Sequence, residues 1–125
     1  MINSILLYIG SGSVIAWGTA HLFPVNGVVR EFGDISRDNK LILRMEWITE
    51  GFALIYTGIL VLLVTLFGNP DGITASIVYF TSAGFLIAMA ILSLFTGFKV
   101  NFLPYKLCPF IFTASAILIL LGCLI

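Results

Sequence analysis

Four stretches of the chain, Ile5–Phe23, Leu41–Phe67, Ile73–Phe98 and Leu107–Ile125, are almost uninterruptedly apolar. A helix needs ~20 such residues to cross a ~30 Å hydrocarbon core, and lipid offers no partner to an unpaired peptide group. Each stretch is therefore expected to be a spanning helix. The predicted fold is all-α: a polytopic membrane protein with a single domain, a four-transmembrane-helix bundle with helices at about 4–23, 38–67, 73–98 and 106–125. A transmembrane barrel would need ~10-residue alternating segments instead, and none occurs. Only 10% of the residues are charged, against about 25% in a soluble domain, too few to cover a water-facing surface. The first stretch lacks the basic n-region of a signal peptide, so it reads as a permanent helix.

The charges are placed unevenly. Arg30, Arg37, Lys40 and Arg44 lie in or beside the first connection, and Lys99 and Lys106 flank the third. The second connection and both chain ends carry no Lys or Arg. The positive-inside rule then puts the first and third connections in the cytosol and both termini outside. The six basic residues form no run that would track a phosphate backbone, so no nucleic-acid partner is expected. The turn Gly68–Gly72, GNPDG, has the composition of a tight reversal, with Asp71 or Thr74 placed to cap the third helix. Pro109 is expected in the first turn of the fourth helix, where proline is tolerated. Tyr105 and Lys106 read as interfacial anchors. Val28, Val29, Phe32 and Ile35 alternate with charges, as in a segment lying on the membrane or folding back over the bundle mouth. Ser36 or Asp34 is a candidate N-cap for the second helix.

Charge at the mouth of a membrane helix needs a reason. Arg44, Glu46 and Glu50 stand at the start of the second apolar run, in LRMEWITEGFALIYTGILVLL. Counting ~1.5 Å per residue back from Phe67 places Glu50 just inside the hydrocarbon. His21, near the end of the first helix, reaches the same depth from the antiparallel neighbour. Glu46 and Glu50 share a helix face, as do Ser13, Trp17 and His21. Gly18 and Gly51 would let the two helices approach. The expectation is a cytosol-facing pocket between the first two spanning helices. Trp17, His21, Glu46, Trp47 and Glu50 would line it, His21 would touch Glu50, and Arg44 would stand at the rim. Gly84, Ala88, Ser93 and Gly97 read as small-residue packing positions on the third helix. The fourth, without charge, reads as a packing or lipid-facing helix.

Other chemistries find little to work with. Cys108 and Cys123 are about 22 Å apart on one helix, beyond disulfide reach, and read as small apolar fillers. There is one histidine, which excludes bis-histidine haem within the chain. No Glu-x-x-His pair of the di-iron type is present. No metal site and no cofactor are expected.

At Gly18–Pro24, GTAHLFP, the chain resembles the DoxX-like group of small four-helix bacterial membrane proteins. Their first helix ends in Gly, then Lys or another polar residue, then Leu. Gly18, His21 and Leu22 fill that pattern, with His in place of Lys. The resemblance implies a bacterial inner membrane and carries no site residue across. Size and an intramembrane glutamate are also similar to the small multidrug resistance transporters, but their essential glutamate lies in the first helix, which here has none.

The pocket residues favour a membrane module that binds an amphipathic small molecule or lipid, with His21 and Glu50 fixing its polar head. Alternatives are a proton-coupled transporter working as a homo-oligomer, a non-catalytic assembly partner of a membrane complex, and an enzyme using His21 and Glu50 as acid and base. No motif specifies a reaction.

Overall fold

The computed structural model describes residues 1–125 and contains helices without strands. Helix α1 is Ile2–Leu22, α2 Val25–Glu31, α3 Arg37–Phe67, α4 Ile73–Phe95 and α5 Leu103–Leu124, with a 3-10 turn at Gly97–Lys99. Of these, α1, α3, α4 (with its 3-10 extension) and α5 are long and apolar enough to cross a membrane, consistent with an integral membrane protein.

Local chemistry sets most boundaries. Pro24, which brings no N–H to the α1 ladder, follows the end of α1 and is the N-cap of α2. Gly33 has φ +77°, a left-handed conformation open to glycine. There its N–H returns to the Arg30 carbonyl and α2 stops. The Ser36 side chain caps α3 by accepting from the Asn39 N–H at 3.1 Å. At ~1.5 Å per residue, α3 is about 46 Å long, so its first turns extend beyond a ~30 Å core. The segment expected as a surface or fold-back loop is a short helix, α2, whose Val29 is buried.

Two boundaries differ from the sequence reading. The N-cap of α4 is Gly72, and neither Asp71 nor Thr74 caps it. Helix α5 starts at Leu103 with Pro104 in its first turn, which puts Pro109 inside the helix. Pro104 supplies the N-terminal proline, so the helix begins a turn early. Pro109 then has no N–H to give the Tyr105 carbonyl.

Helix α1 packs between α3 and α5, and α5 packs between α1 and α4. The apolar α5, whose one charge, Lys106, lies in its first turn, is thus central: Phe112, Ser115, Ala116 and Ile119 are buried. Glycines set the close crossings. A Cβ on Gly58 would lie 2.8 Å from the Ser11 carbonyl, and one on Gly122 2.9 Å from that of Asn3. Gly84 instead faces open space and Ala88 is exposed, so the first half of the expected small-residue stripe points outward, whereas Ser93 and Gly97 are half-buried and Gly97 lies against Tyr105.

Helices α3 and α4 touch sparingly. They are joined near the Gly68–Gly72 turn, where Thr65 Oγ1 and Tyr79 Oη are 3.0 Å apart. Toward the other end they diverge, and the space between them is a cleft.

Candidate functional site

The cleft has a volume of about 440 Å³. On α3, Leu43, Glu46, Trp47, Thr49, Glu50 and Ala53 line it. Phe85 and Met89 of α4 face them, Tyr105 of α5 forms the back, and Val28 and Phe32 of the α2 region close the mouth. One helix face supplies Glu46, Glu50 and Ala53, because residues four apart lie one above the other.

A smaller cavity of about 200 Å³ adjoins it between α1, α3 and α5. Trp17, Ala20 and His21 of α1 line it with Trp47, Tyr105 and Cys108. Trp47 and Tyr105 border both spaces. The expected residues are therefore distributed on two sides of Trp47: Trp17 and His21 on the cavity, Glu46 and Glu50 on the cleft. The larger cleft has no α1 residue in its wall, and only the smaller cavity touches both α1 and α3, with α5 completing it; no pocket opens between α1 and α3 alone, where the sequence reading placed it. Gly18 and Gly51 bring those helices too close to leave one. A Cβ on Gly18 would stand 2.9 Å from Leu54 Cβ and 3.0 Å from the Gly51 carbonyl.

Trp47 organises the junction. Its indole N–H donates to the His21 carbonyl at 2.6 Å, satisfying an acceptor in the last turn of α1. Its ring stacks on the His21 imidazole, centroids 4.0 Å apart and planes 12° from parallel. Tyr105 meets the other side edge-on at 5.7 Å.

Beside this stack, His21 Nε2 lies 3.4 Å from Glu50 Oε2. The His21 side chain is 8% exposed and that of Glu50 33%, so the contact spans from the interior to the cleft wall. It is an ion-pair distance without hydrogen-bond alignment, since His21 Nε2 has no hydrogen-bond partner. Trp17 Nε1 is also buried without one, although it is turned toward Cys108. A buried polar nitrogen without a partner is costly, and here two belong to residues that border the same cavity.

Arg44 is not at the rim of this cleft. Its Nη1 donates to Asn26 Oδ1, and it lines a separate recess with Arg30 and Lys40. Residues two apart on a helix do not face each other, so Arg44 and Glu46 look to different sides of α3. Glu46 is exposed and makes no ion pair within 4 Å. No group of three or more His, Cys, Asp or Glu side chains is placed to hold a metal ion.

Sequence reasoning passed over the cleft's apolar wall. Phe85 and Met89 sit in an apolar helix with no charge to mark a face. Tyr105 reads as an anchor because Lys106 follows it, yet it borders the cleft, the cavity and a further opening of about 650 Å³ between α2 and the α4–α5 connection. The aromatic cluster of Trp47, Phe102 and Tyr105 was the available signal.

Chemically, the arrangement offers a carboxyl group and an imidazole at the edge of an apolar space. It can accept a hydrogen bond from a ligand head and cover a ligand's apolar body. No nucleophile stands beside either group in a pattern that specifies a reaction. No protein-family model, curated protein or solved structure matches the chain. None of these comparisons supports the DoxX-like resemblance read at Gly18–Pro24.

Proposed function

We propose that the protein is a non-enzymatic membrane module that binds an amphipathic small molecule or lipid at the wide end of the bundle. The apolar part lies along Val28, Phe32, Phe85 and Met89. The polar head reaches the junction of Glu50, His21 and Trp47. One observation carries this reading: an apolar cleft bordered by four helices converges on a carboxyl group whose sole ion-pairing neighbour is His21. Ligand sites commonly combine apolar walls with a few convergent polar groups. A head that donates hydrogen bonds, such as an amine or alcohol, suits the Glu50 carboxyl.

The orientation in this proposal has the wide end in the cytosol and both termini outside, in a bacterial inner membrane. Its support is that all six Lys and Arg residues belong to α2, the start of α3, the α4–α5 connection and the first turn of α5, all at one end of the bundle. Transport by an oligomer is less well supported. Between Glu50 and the narrow end the interior holds the buried apolar Leu54, Val61, Leu86 and Phe112 and only scattered buried hydroxyls such as Thr57, Ser82, Ser115 and the Thr65–Tyr79 pair, with no ionisable carboxylate, Lys, Arg or His among them.

The test is a ligand-stabilisation assay on the full chain in mild detergent, with dodecylamine, dodecanol and dodecanoate as probes. The amine and alcohol are expected to raise the melting temperature, and the acid is not. Ala53→Phe, which fills the cleft from a half-buried position, should abolish the shift while the unliganded protein still melts cooperatively. Equal shifts with all three probes, or shifts that survive Ala53→Phe, would place the effect outside the cleft.

A further inference from the structure

The segment Arg30–Glu46 contains four basic residues, Arg30, Arg37, Lys40 and Arg44, and four acidic ones, Glu31, Asp34, Asp38 and Glu46. By composition it is neutral. Folding sorts the charges. Arg30, Lys40 and Arg44 line one recess of about 270 Å³ with Asn26, Val29 and Gly33. None of the acidic residues lines it, and none of these cations is within 4 Å of a carboxylate.

The geometry of two helices makes the recess. Lys40 and Arg44 are one turn apart on α3 and share a face. Asn26 and Arg30 have the same spacing on α2, and Gly33 follows at its end. Gly33 turns the chain with φ +77° and leaves the recess without a further side chain. Val29 is buried beneath, which fixes α2 on α3. Arg44 is half-buried and donates to Asn26 Oδ1, so its guanidinium is held in place while its other N–H groups remain to donate. Lys40 is half-buried as well.

We propose that this recess is an anion site that takes a phosphate group, supplied by the headgroup of an anionic phospholipid. Three cations converging from two helices match an anion with several oxygens. Arg adds planar, paired donors suited to phosphate. The recess lies on the extramembrane start of α3, at the depth of lipid headgroups. Basic pockets at the cytoplasmic ends of spanning helices are suited to such headgroups. The site is separate from the cleft. Helix α2 divides them, with Val28 and Phe32 toward the cleft and Asn26, Arg30 and Gly33 toward the recess. The inference therefore does not depend on the ligand proposed for the cleft and shares with that reading only the cytosolic placement of the basic end.

The experiment is native mass spectrometry of the full chain in detergent, titrated with phosphatidylglycerol, with phosphatidylcholine, and with inorganic phosphate as competitor. One phosphatidylglycerol is expected to bind more tightly than phosphatidylcholine. The Lys40→Gln/Arg44→Gln double variant should weaken it roughly tenfold or more, as lost charge-assisted contacts do. Arg30→Gln, on an exposed side chain, should weaken it without disturbing the fold, and Lys40→Arg should retain it. Arg37→Gln/Lys99→Gln removes as much charge outside the recess and should leave binding unchanged. Displacement of the lipid by millimolar inorganic phosphate supports the same phosphate chemistry and identifies a free anion as the source. Equal weakening by the Arg37/Lys99 control, or no preference for phosphatidylglycerol together with no effect of phosphate, overturns the proposal.

Discussion

Gly18 and Gly51 meet where α1 crosses α3, and what surrounds each is different. A Cβ on Gly18 would be 2.9 Å from Leu54 Cβ and 3.0 Å from the Gly51 carbonyl, neither of which can swing away. A Cβ on Gly51 meets first the Leu22 side chain, which can rotate, and only then backbone, the Gly18 carbonyl at a looser 3.2 Å. Gly18→Ala is therefore expected to destabilise the bundle by about 1–3 kcal/mol, the usual cost of overpacking, and Gly51→Ala by less. Gly84→Ala, with nothing within 4 Å, should be neutral or stabilising by up to ~1 kcal/mol through helix propensity. Unfolding of the three variants in mixed micelles gives the order directly. If Gly84→Ala costs as much as Gly18→Ala, close approach is not what sets the effect.

The two tryptophans should separate in the same assay. Trp47→Phe keeps a ring on His21 but removes the donor to the His21 carbonyl, leaving an acceptor of the last α1 turn unpaired. A loss of about 1–3 kcal/mol is expected. Trp17 Nε1 has no hydrogen-bond partner to lose, so Trp17→Phe should cost less, only the packing that the smaller ring gives up against the core, about 1 kcal/mol. Equal losses would mean that ring volume rather than the indole N–H matters at both positions.

At the narrow end, Thr65 Oγ1 donates to the Val61 carbonyl at 2.7 Å and so receives the Tyr79 hydroxyl at 3.0 Å. Both residues are buried. A double-mutant cycle with Thr65→Val and Tyr79→Phe should give a coupling of about 0.6 kcal/mol, as interhelical hydrogen bonds do in membranes. The same variants should increase the spread between spin labels placed on exposed Leu66 and Ile77, because this bond joins α3 to α4 where they converge. A coupling of zero would leave the helix pairing to apolar contact alone.

Orientation is open to direct labelling. In a chain with Cys108 and Cys123 replaced by Ala, single cysteines at exposed Asn69 and Arg37 report the two ends of the bundle. A membrane-impermeant maleimide on whole cells is expected to modify position 69 and spare position 37. The reverse pattern would contradict the assignment of the basic end to the cytosol.

The four spans were legible because length and hydropathy alone constrain a chain in lipid. The His21–Glu50 contact was legible for a related reason: two antiparallel helices of known rise fix which residues share a depth. Partners across non-consecutive helices were not. Nothing in the sequence of α5 says that it sits between α1 and α4, since in apolar segments every face looks alike. That ambiguity hid Phe85, Met89 and Tyr105, and it made Gly84 look like a packing position. The fate of Arg44 was hidden because its acceptor, Asn26, belongs to a helix of seven residues, too short for hydrophobic periodicity to define.

Glu50 and Glu46 lie on one face of α3 and border the same cleft, yet their surroundings differ. Glu46 is exposed and near the wet end of the helix. Glu50 is one turn deeper, two-thirds covered and beside the buried His21 imidazole at 3.4 Å. A polar group with fewer waters depends more on the partners that remain. Glu50→Gln preserves shape and one acceptor oxygen but removes the charge a donating head would meet. It should weaken dodecylamine binding roughly tenfold, the range of a charge-assisted hydrogen bond, while Glu46→Gln should change it by no more than about twofold through screened attraction. Both affinities come from the same thermal-shift titration. Ala53→Phe should flatten the response in either background if the amine occupies the cleft. Equal effects of the two Gln variants would show that depth along α3 does not govern binding, and a tenfold loss confined to Glu46→Gln would move the head toward the cytosolic mouth.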